Sequence, residues 1–362
     1  GTRSGFAGSV ALSVLMILVF ITAMFLAGRM GVDMGLTLAW TTPVTGIAQL
    51  LWTMYAARRI GFIPRLRWPR MSPDFRRLMV NMGPALLVGG VVQINLLVSR
   101  QVASGTEGAI SWLVYADRLY QLPLGVVAIA VGTVLLPELS RRLQAGDHAG
   151  GREAFNRGTE FALLLTLPAA VALVVIAFPI TEVLYQRGKF DAEDTAATAL
   201  ALAIYGLGLP AFVLQKALQP LFYAREDTRS PFRYAVWSMV LNAALAFGLM
   251  PFIGFSAAAW ATTLSAWVMV GQLWWGARSL GEEARFDARF LSRFWRIVFA
   301  SAFMGAALWG GWNLLQPMLD AKAYRILALC LLIAIGMASY ALAAVALKAV
   351  RLSDLKALRR QR

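Results

Sequence analysis

Cysteine and histidine are almost missing from this chain: Cys330 and His148 are its only examples among 362 residues. One of each makes neither a disulfide nor a zinc site of the His/Cys kind. Charge is scarce as well, at 15% of residues, where soluble domains carry about 25%. Acids number 19 against 34 bases, and Asp117 is the only acid well inside an apolar run, with Glu160 and Glu182 near run ends. No Gly-rich phosphate loop precedes a basic residue. Nucleophilic and acid/base catalysis therefore have little to stand on, and the expectation is a non-enzyme without a metal or other cofactor.

What is present is apolar. Hydrophobic residues make up 59% of the chain, in runs of the roughly 20 residues needed to cross a bilayer. Ten spans are expected near 7–28, 34–57, 78–99, 109–137, 159–185, 196–224, 231–250, 256–277, 297–316 and 326–347. Backbone polar groups in lipid must be satisfied within the segment, so these are read as helices; the period-2 alternation of a barrel is lacking. No separable secretory signal stands out, since the first apolar run is one of many alike.

The joints between spans test the count. Those after the second, fourth, sixth and eighth spans, with the C-terminal tail, hold 25 Lys/Arg, counting Arg233 with its adjoining joint; the opposite joints hold 6. A wrongly added or dropped helix would destroy that alternation, which places both termini in the cytoplasm. The net charge of +15 is thereby read as loops facing anionic lipid and not as a nucleic-acid surface. Residues 58–77 form the longest basic joint, broken by Pro64, Pro69 and Pro73, with Phe62 and Trp68 suited to the headgroup level. It reads as a surface-lying linker.

A faint repeat suggests the larger plan. Ala39-Trp40, Thr41-Thr42, Gln49-Leu50 and Trp52 in the second span resemble Ala259-Trp260, Thr262-Thr263, Gln272-Leu273 and Trp274 in the eighth. Parallel halves would follow, as in several transporter folds. On that plan 1–57 is the last two helices of a first lobe, 58–77 the linker, 78–278 a complete six-helix lobe, and 279–362 two extra helices with a basic tail. Four helices would precede Gly1.

Only Arg118 and Lys216 leave a cation well within a span. Nine residues separate Arg118 from Ala109, which puts it about 13 Å deep at a rise of 1.5 Å per residue. A guanidinium there costs roughly 2.5–3.5 kcal/mol on insertion scales, so it must face protein or water. Ser111, Tyr115, Arg118, Gln121 and Gly125 share one stripe, with Asp117 about 100° away and Pro123 expected to kink the helix. Three readings stand: a structural ion pair, a side chain snorkelling outward, or an anion ligand lining a cavity, where its fork suits phosphate oxygens. Lys216 lies about 12 Å from the inner end of its own span, at a different depth from Arg118, and shares a stripe with Phe212, Gln219 and Tyr223. A polyanionic headgroup crossing the membrane could meet the two cations in turn. Gln93, Asn95 and Ser99 in the third span are either interhelical hydrogen-bonding groups or cavity lining.

Three segments point to a family. Tyr115-Ala-Asp-Arg-Leu-Tyr-Gln-Leu-Pro-Leu-Gly125, continuing through Gly132-Thr-Val-Leu-Leu-Pro-Glu-Leu-Ser140, resembles the hallmark segment of the MurJ/MviN lipid II flippases. Leu184-Tyr-Gln-Arg-Gly-Lys-Phe190 and Phe222-Tyr-Ala-Arg-Glu-Asp-Thr-Arg-Ser-Pro231 resemble two further segments, in the right order and spacing. The resemblance implies an all-α integral membrane protein with a MATE-like two-lobe fold of the multidrug/oligosaccharidyl-lipid/polysaccharide exporter superfamily. It implies alternating access that carries lipid II, the undecaprenyl-diphosphate-linked peptidoglycan precursor, across the bacterial cytoplasmic membrane. Arg118 matches the family's cavity arginine, expected to engage the diphosphate; Tyr115, Asp117, Gln121, Lys216, Gln93, Asn95 and Ser99 are its candidate companions. Some members carry an acid where Gln121 stands. The last two spans resemble an extra helix pair that forms a groove for the lipid tail. The family has fourteen helices and this chain matches the last ten, which leaves one lobe incomplete. The implied partners are lipid II, membrane lipids and enzymes of cell-wall synthesis. Two rivals remain: a flippase or exporter of another polyprenyl-linked glycan, and a non-transporting scaffold, which requires Arg118 and Lys216 to be ion-paired.

Overall fold

The computed structural model describes residues 16–22, 24–26, 28–29, 34–59, 90, 93–131, 135–321 and 323–349. The predicted 58–77 linker beyond Arg59, most of the third predicted span and the tail after 349 lie outside these residues. Among the described residues every regular element is helical. The chain divides into two compact units, 1–79 and 80–362.

The first unit holds helical turns within 16–29 and α1 (Met34–Arg59). Thr41 and Thr45 are buried, each returning its hydroxyl to the carbonyl one turn back. That habit lets a hydroxyl sit in apolar surroundings without an orphaned donor.

The second unit contains α2 (93–103), α3 (Ala109–Ala130), α4 (Leu136–Gln144), α5 (His148–Val175), α6 (Ala177–Tyr185), α7 (Ala192–Tyr223), α8 (Arg229–Ile253), α9 (Ser256–Ala277), α10 (Ala288–Asp320) and α11 (Arg325–Ala346). Among the described residues five helical stretches are long and apolar enough to cross a membrane: α5, α7, α8, 282–320 containing α10, and α11. The predicted span 256–277 coincides with α9, whose 22 residues reach about 33 Å. One predicted span, 159–185, is instead two helices. α5 starts at His148, inside the expected basic joint, and the helix breaks at Ile176 (φ −113°, ψ 27°) before α6. Pro179 explains the break: it lacks the N–H that would bond back to Val175, and in the first turn of a new helix that N–H is not needed. Pro168 and Pro123, by contrast, lie inside helices that continue on either side of the ring.

α7 is the central post. Gly206 approaches α5 so closely that a methyl group there would meet Leu173 Cβ at 3.1 Å, and one at Gly208 would meet Thr263 Oγ1 of α9 at 2.9 Å. Thr263 uses that proximity to donate to the Ile204 carbonyl (2.9 Å), and Trp267 donates to the Leu207 carbonyl (3.1 Å). Across α8 and α9, Ser238 donates to the Ser265 carbonyl at 2.9 Å. The α10–α11 pair closes on itself where Gly336 meets Leu308 and Gly311 meets Leu332, and it docks on α5 through the Tyr340 hydroxyl, which donates to the Leu164 carbonyl at 2.6 Å. Close approach at glycines and scattered hydroxyl bonds are how helices associate where lipid removes the usual hydrophobic driving force.

Charge is sorted by end. The end formed by α4, the start of α5, the α7–α8 turn and residues 278–296 carries most of the described arginines and is laced with ion pairs. Glu283, buried, accepts from Arg225 and sits 3.2 Å from His148 Nδ1. Burial alone would raise its pKa, but a backbone N–H, His148 and Arg225 together hold it below its ordinary value of 4.5. Deeper, Glu160 joins Arg293 and Arg157 (3.0 Å), and Arg157 reaches Asp287 at 3.1 Å. Arg278 lies over the rings of Trp274 (4.3 Å) and Trp275 (4.9 Å), an arrangement suited to the headgroup level.

Candidate functional site

The site is built from α3 outward. α3 buries Trp112, Leu113, Ala116, Leu119 and Tyr120 in the main core and leaves Ser111, Tyr115, Arg118 and Gln121 on an open face of the second unit. The expected polar stripe is therefore real. Its mate Gly125 is half-buried, and Leu122 and Val126 extend the exposed face past Gln121.

Arg118, exposed near mid-helix, makes no hydrogen bond and no ion pair among the described residues. Asp117, one step round the helix, is engaged by the Gln121 side-chain amide, which donates to it. That bond ties the carboxylate to a residue one turn further along the helix, on the stripe that also carries Arg118. Of the three readings of Arg118, the ion pair finds no carboxylate partner among these residues.

The Tyr185–Phe190 segment, between α6 and α7, folds against the same face. The Tyr115 ring lies 4.7 Å from that of Tyr185 and 5.5 Å from that of Phe190, and Tyr185 and Phe190 are 6.0 Å apart, centroid to centroid. Arg118, three residues on from Tyr115 along α3, lies on the same face. The turn is fixed locally. Gly188 takes φ +64°, and Asp191 caps α7 by accepting from Glu193 N (2.8 Å) and Asp194 N (3.0 Å), while its own N–H bonds Asp194. Asp194 also accepts from Trp112 Nε1 of α3 at 2.5 Å, tying the turn to the helix that carries Tyr115 and Arg118. Two of the sequence segments singled out above thus meet in space.

The remaining candidates are not gathered here. Lys216 is exposed on α7 and has no ion pair among the described residues. Tyr120 of α3 packs on Tyr205 and Phe212 of α7; with that register, Lys216 lies about 15 Å further along the axis than Arg118. On that register the two cations occupy different levels. On α2, Gln93 is exposed, while Asn95 and Ser99 are half-buried, and Asn95 Oδ1 is shielded without a hydrogen-bond partner. No hydrogen bond joins these three to Arg118 among the described residues. Nor do those residues contain a cluster of three His, Cys, Asp or Glu able to hold a metal.

Tyr185 and Phe190 pack on Tyr115 of this face, a meeting that the sequence did not assign. The signal was partial: the segment 184–190 stood out as a motif, but its spatial neighbour lies some 70 residues earlier, and no local periodicity reports that.

A face with an open arginine in mid-span can be compared with known proteins. A family model described as "Lipid II flippase MurJ" matches residues 4–343. A relative from Rhizobium meliloti (strain 1021), described as a probable lipid II flippase MurJ, is 46% identical over 317 residues, covering 87% of this chain and 59% of the relative. The chain thus spans well under two thirds of that relative's length. Among solved structures, one described as "Lipid II flippase MurJ, inward closed conformation" superposes with a TM-score of 0.72 at 24% identity, over 91% of this chain and 65% of that one. A transporter of the MOP superfamily from Pyrococcus furiosus Vc1 gives a TM-score of 0.50 at 16% identity, over 73% and 62%. At such identities the structural likeness shows the fold alone: the all-helical fold that those structures share.

Proposed function

The chain belongs to the lipid II flippase MurJ family, and from that premise we propose that it serves to move lipid II across the bacterial cytoplasmic membrane by alternating access, without bond-making chemistry of its own. The observation that carries the reading is the Arg118 guanidinium, free of any ionic partner among the described residues and presented on an open face. A bare guanidinium facing hydrocarbon is disfavoured by several kcal/mol, so the face it occupies borders a wet, protein-lined space. There its planar fork matches two oxygens of a diphosphate.

In this reading Arg118 grips the diphosphate while Gln121 keeps Asp117 from competing for the fork. Tyr115 borders the same space. Lys216, about 15 Å further along, receives the anion at the basic end, the end that the basic joints favour as cytoplasmic together with both termini of this chain. Gln93, Asn95 and Ser99 contribute polar lining on a neighbouring helix. Residues 1–57 supply the end of one lobe, 58–77 a basic linker, 78–278 a six-helix lobe, and 279–362 an added helix pair flanking the lipid tail. The partners are lipid II, the surrounding lipids and cell-wall synthesis enzymes. The scaffold alternative needs Arg118 and Lys216 to be tied up in ion pairs, and the free side chains favour transport.

The test is Arg118→Ala in a parent protein that flips lipid II. Loss of lipid II from the outer leaflet, with membrane insertion intact, is the expected result. Arg118→Lys should retain part of the activity, since it keeps the charge and loses the fork. Flipping by Arg118→Ala at the parent rate overturns the assignment.

A further inference from the structure

We propose that Tyr115, Tyr185 and Phe190 form an aromatic wall that stacks on the first sugar of the headgroup, making the α6–α7 turn a specificity element for glycosylated over bare polyprenyl diphosphates. This rests on the reading of Arg118 as the diphosphate ligand, because the first sugar is bonded directly to that diphosphate.

Several observations converge. Three rings from two segments meet within 4.7–6.0 Å of one another beside a cation that has no partner among the described residues. Tyr185 backs onto the main core, but the cluster as a whole stays open to the surface. Tyr115 keeps 38% of its surface exposed, Tyr185 and Phe190 are half-buried, and none of the three is among the fully buried core. The arrangement is fastened from behind by the Trp112–Asp194 bond and the α7 capping box, so the rings hold their positions without a ligand. Preorganised rings cost little to order on binding. An aromatic face carries negative charge density, and the axial C–H bonds of a pyranose present the complementary positive edge. Arg118 fixes the diphosphate, and the sugar one bond away then reaches the wall. A bare diphosphate gains from the arginine alone.

The test uses the 362-residue chain in nanodiscs, with undecaprenyl diphosphate and undecaprenyl-diphosphate N-acetylglucosamine as probes. The unaltered chain should bind the glycosylated probe about tenfold more tightly, the worth of a good stacking contact. Tyr185→Leu combined with Phe190→Leu should bring that ratio near one while leaving affinity for the bare diphosphate unchanged. Tyr115→Leu, at the most exposed of the three positions and so least costly to packing, should lower the ratio in the same direction. Tyr185→Trp, which keeps a ring, should preserve it. A ratio of one in the unaltered chain, a ratio untouched by the leucine variants, or an equal fall in both affinities overturns the proposal. Arg118→Ala should weaken both probes alike. If it weakens neither, the diphosphate assignment falls, and the ring variants still report on the sugar separately.

Discussion

Truncating Glu160 to alanine should loosen the basic end of the second unit by a measurable amount. Glu160 is 8% exposed and its partner Arg293 7%, so solvent screens the pair little. The single carboxylate serves two guanidinium groups, Arg293 and, at 3.0 Å, Arg157. Breaking a buried pair from one side costs roughly 3–5 kcal/mol, because the desolvated charge stays behind. Arg157 retains Asp287 at 3.1 Å, which points to the lower end, about 3 kcal/mol. At about 2–4 °C per kcal/mol for a chain of this size, the unfolding midpoint in detergent or nanodiscs should fall by roughly 6 °C or more. Deuterium uptake should rise first in 282–296. The decisive comparison is Glu160→Leu combined with Arg293→Leu. Replacing both charges by apolar groups of similar size is close to neutral, so the double variant should recover most of the loss. A midpoint within a degree of the parent for Glu160→Ala, or a double variant as unstable as the single, refutes the reasoning.

Three further outcomes follow from the packing and the charges. Gly208→Ala places a methyl 2.9 Å from Thr263 Oγ1 and 3.4 Å from its Cα, so it should destabilise by about 1–3 kcal/mol, read as a lowered midpoint. Tyr340→Phe removes the bond to the Leu164 carbonyl and should cost about 1 kcal/mol, with faster exchange at the α10–α11 pair; unchanged exchange counts against that bond as a tether. Because Glu283 is held below its ordinary pKa of 4.5, its contribution is complete above 4.5 and is lost as pH falls through the lowered value. Protection of residues 279–287 against exchange should therefore decline only below about pH 4.5, and Glu283→Gln should remove that dependence.

Helix positions were legible where apolar runs end in strong signals. α9 runs from Ser256 to Ala277 as expected, since Gly254 stops the preceding helix and Arg278 ends the apolar stretch. The α3 stripe was equally readable, because residues three and four apart necessarily share a face. The start of α5 was missed for a physical reason: hydropathy marks what lies in lipid, and the helix continues some ten residues past the apolar part, through His148–Gly158. The break at Ile176 was announced only by Pro179, which looks no different in sequence from Pro168, a proline the helix accommodates. Glu160 and Arg293 read as ordinary charges near span ends; their union joins helices 133 residues apart, and nothing local encodes it. The same holds for the meeting of Tyr115 with Tyr185 and Phe190. Arg118 stood out because it was expensive where it was, a property that a sequence does reveal.

The α10–α11 hairpin is fastened to the rest of its unit at three points: Arg293 to Glu160 and, one turn further along α5, Tyr340 to Leu164, both toward the basic end, and Arg325 to Glu182 (3.1 Å) at the far end. A beam bolted in three places has no hinge. When α5 tilts, these two long helices must swing with it through the same angle, like an outrigger fixed to its hull. Under the function proposed above, a hydrocarbon chain resting along them would be swept sideways with that motion, in step with the Arg118 site.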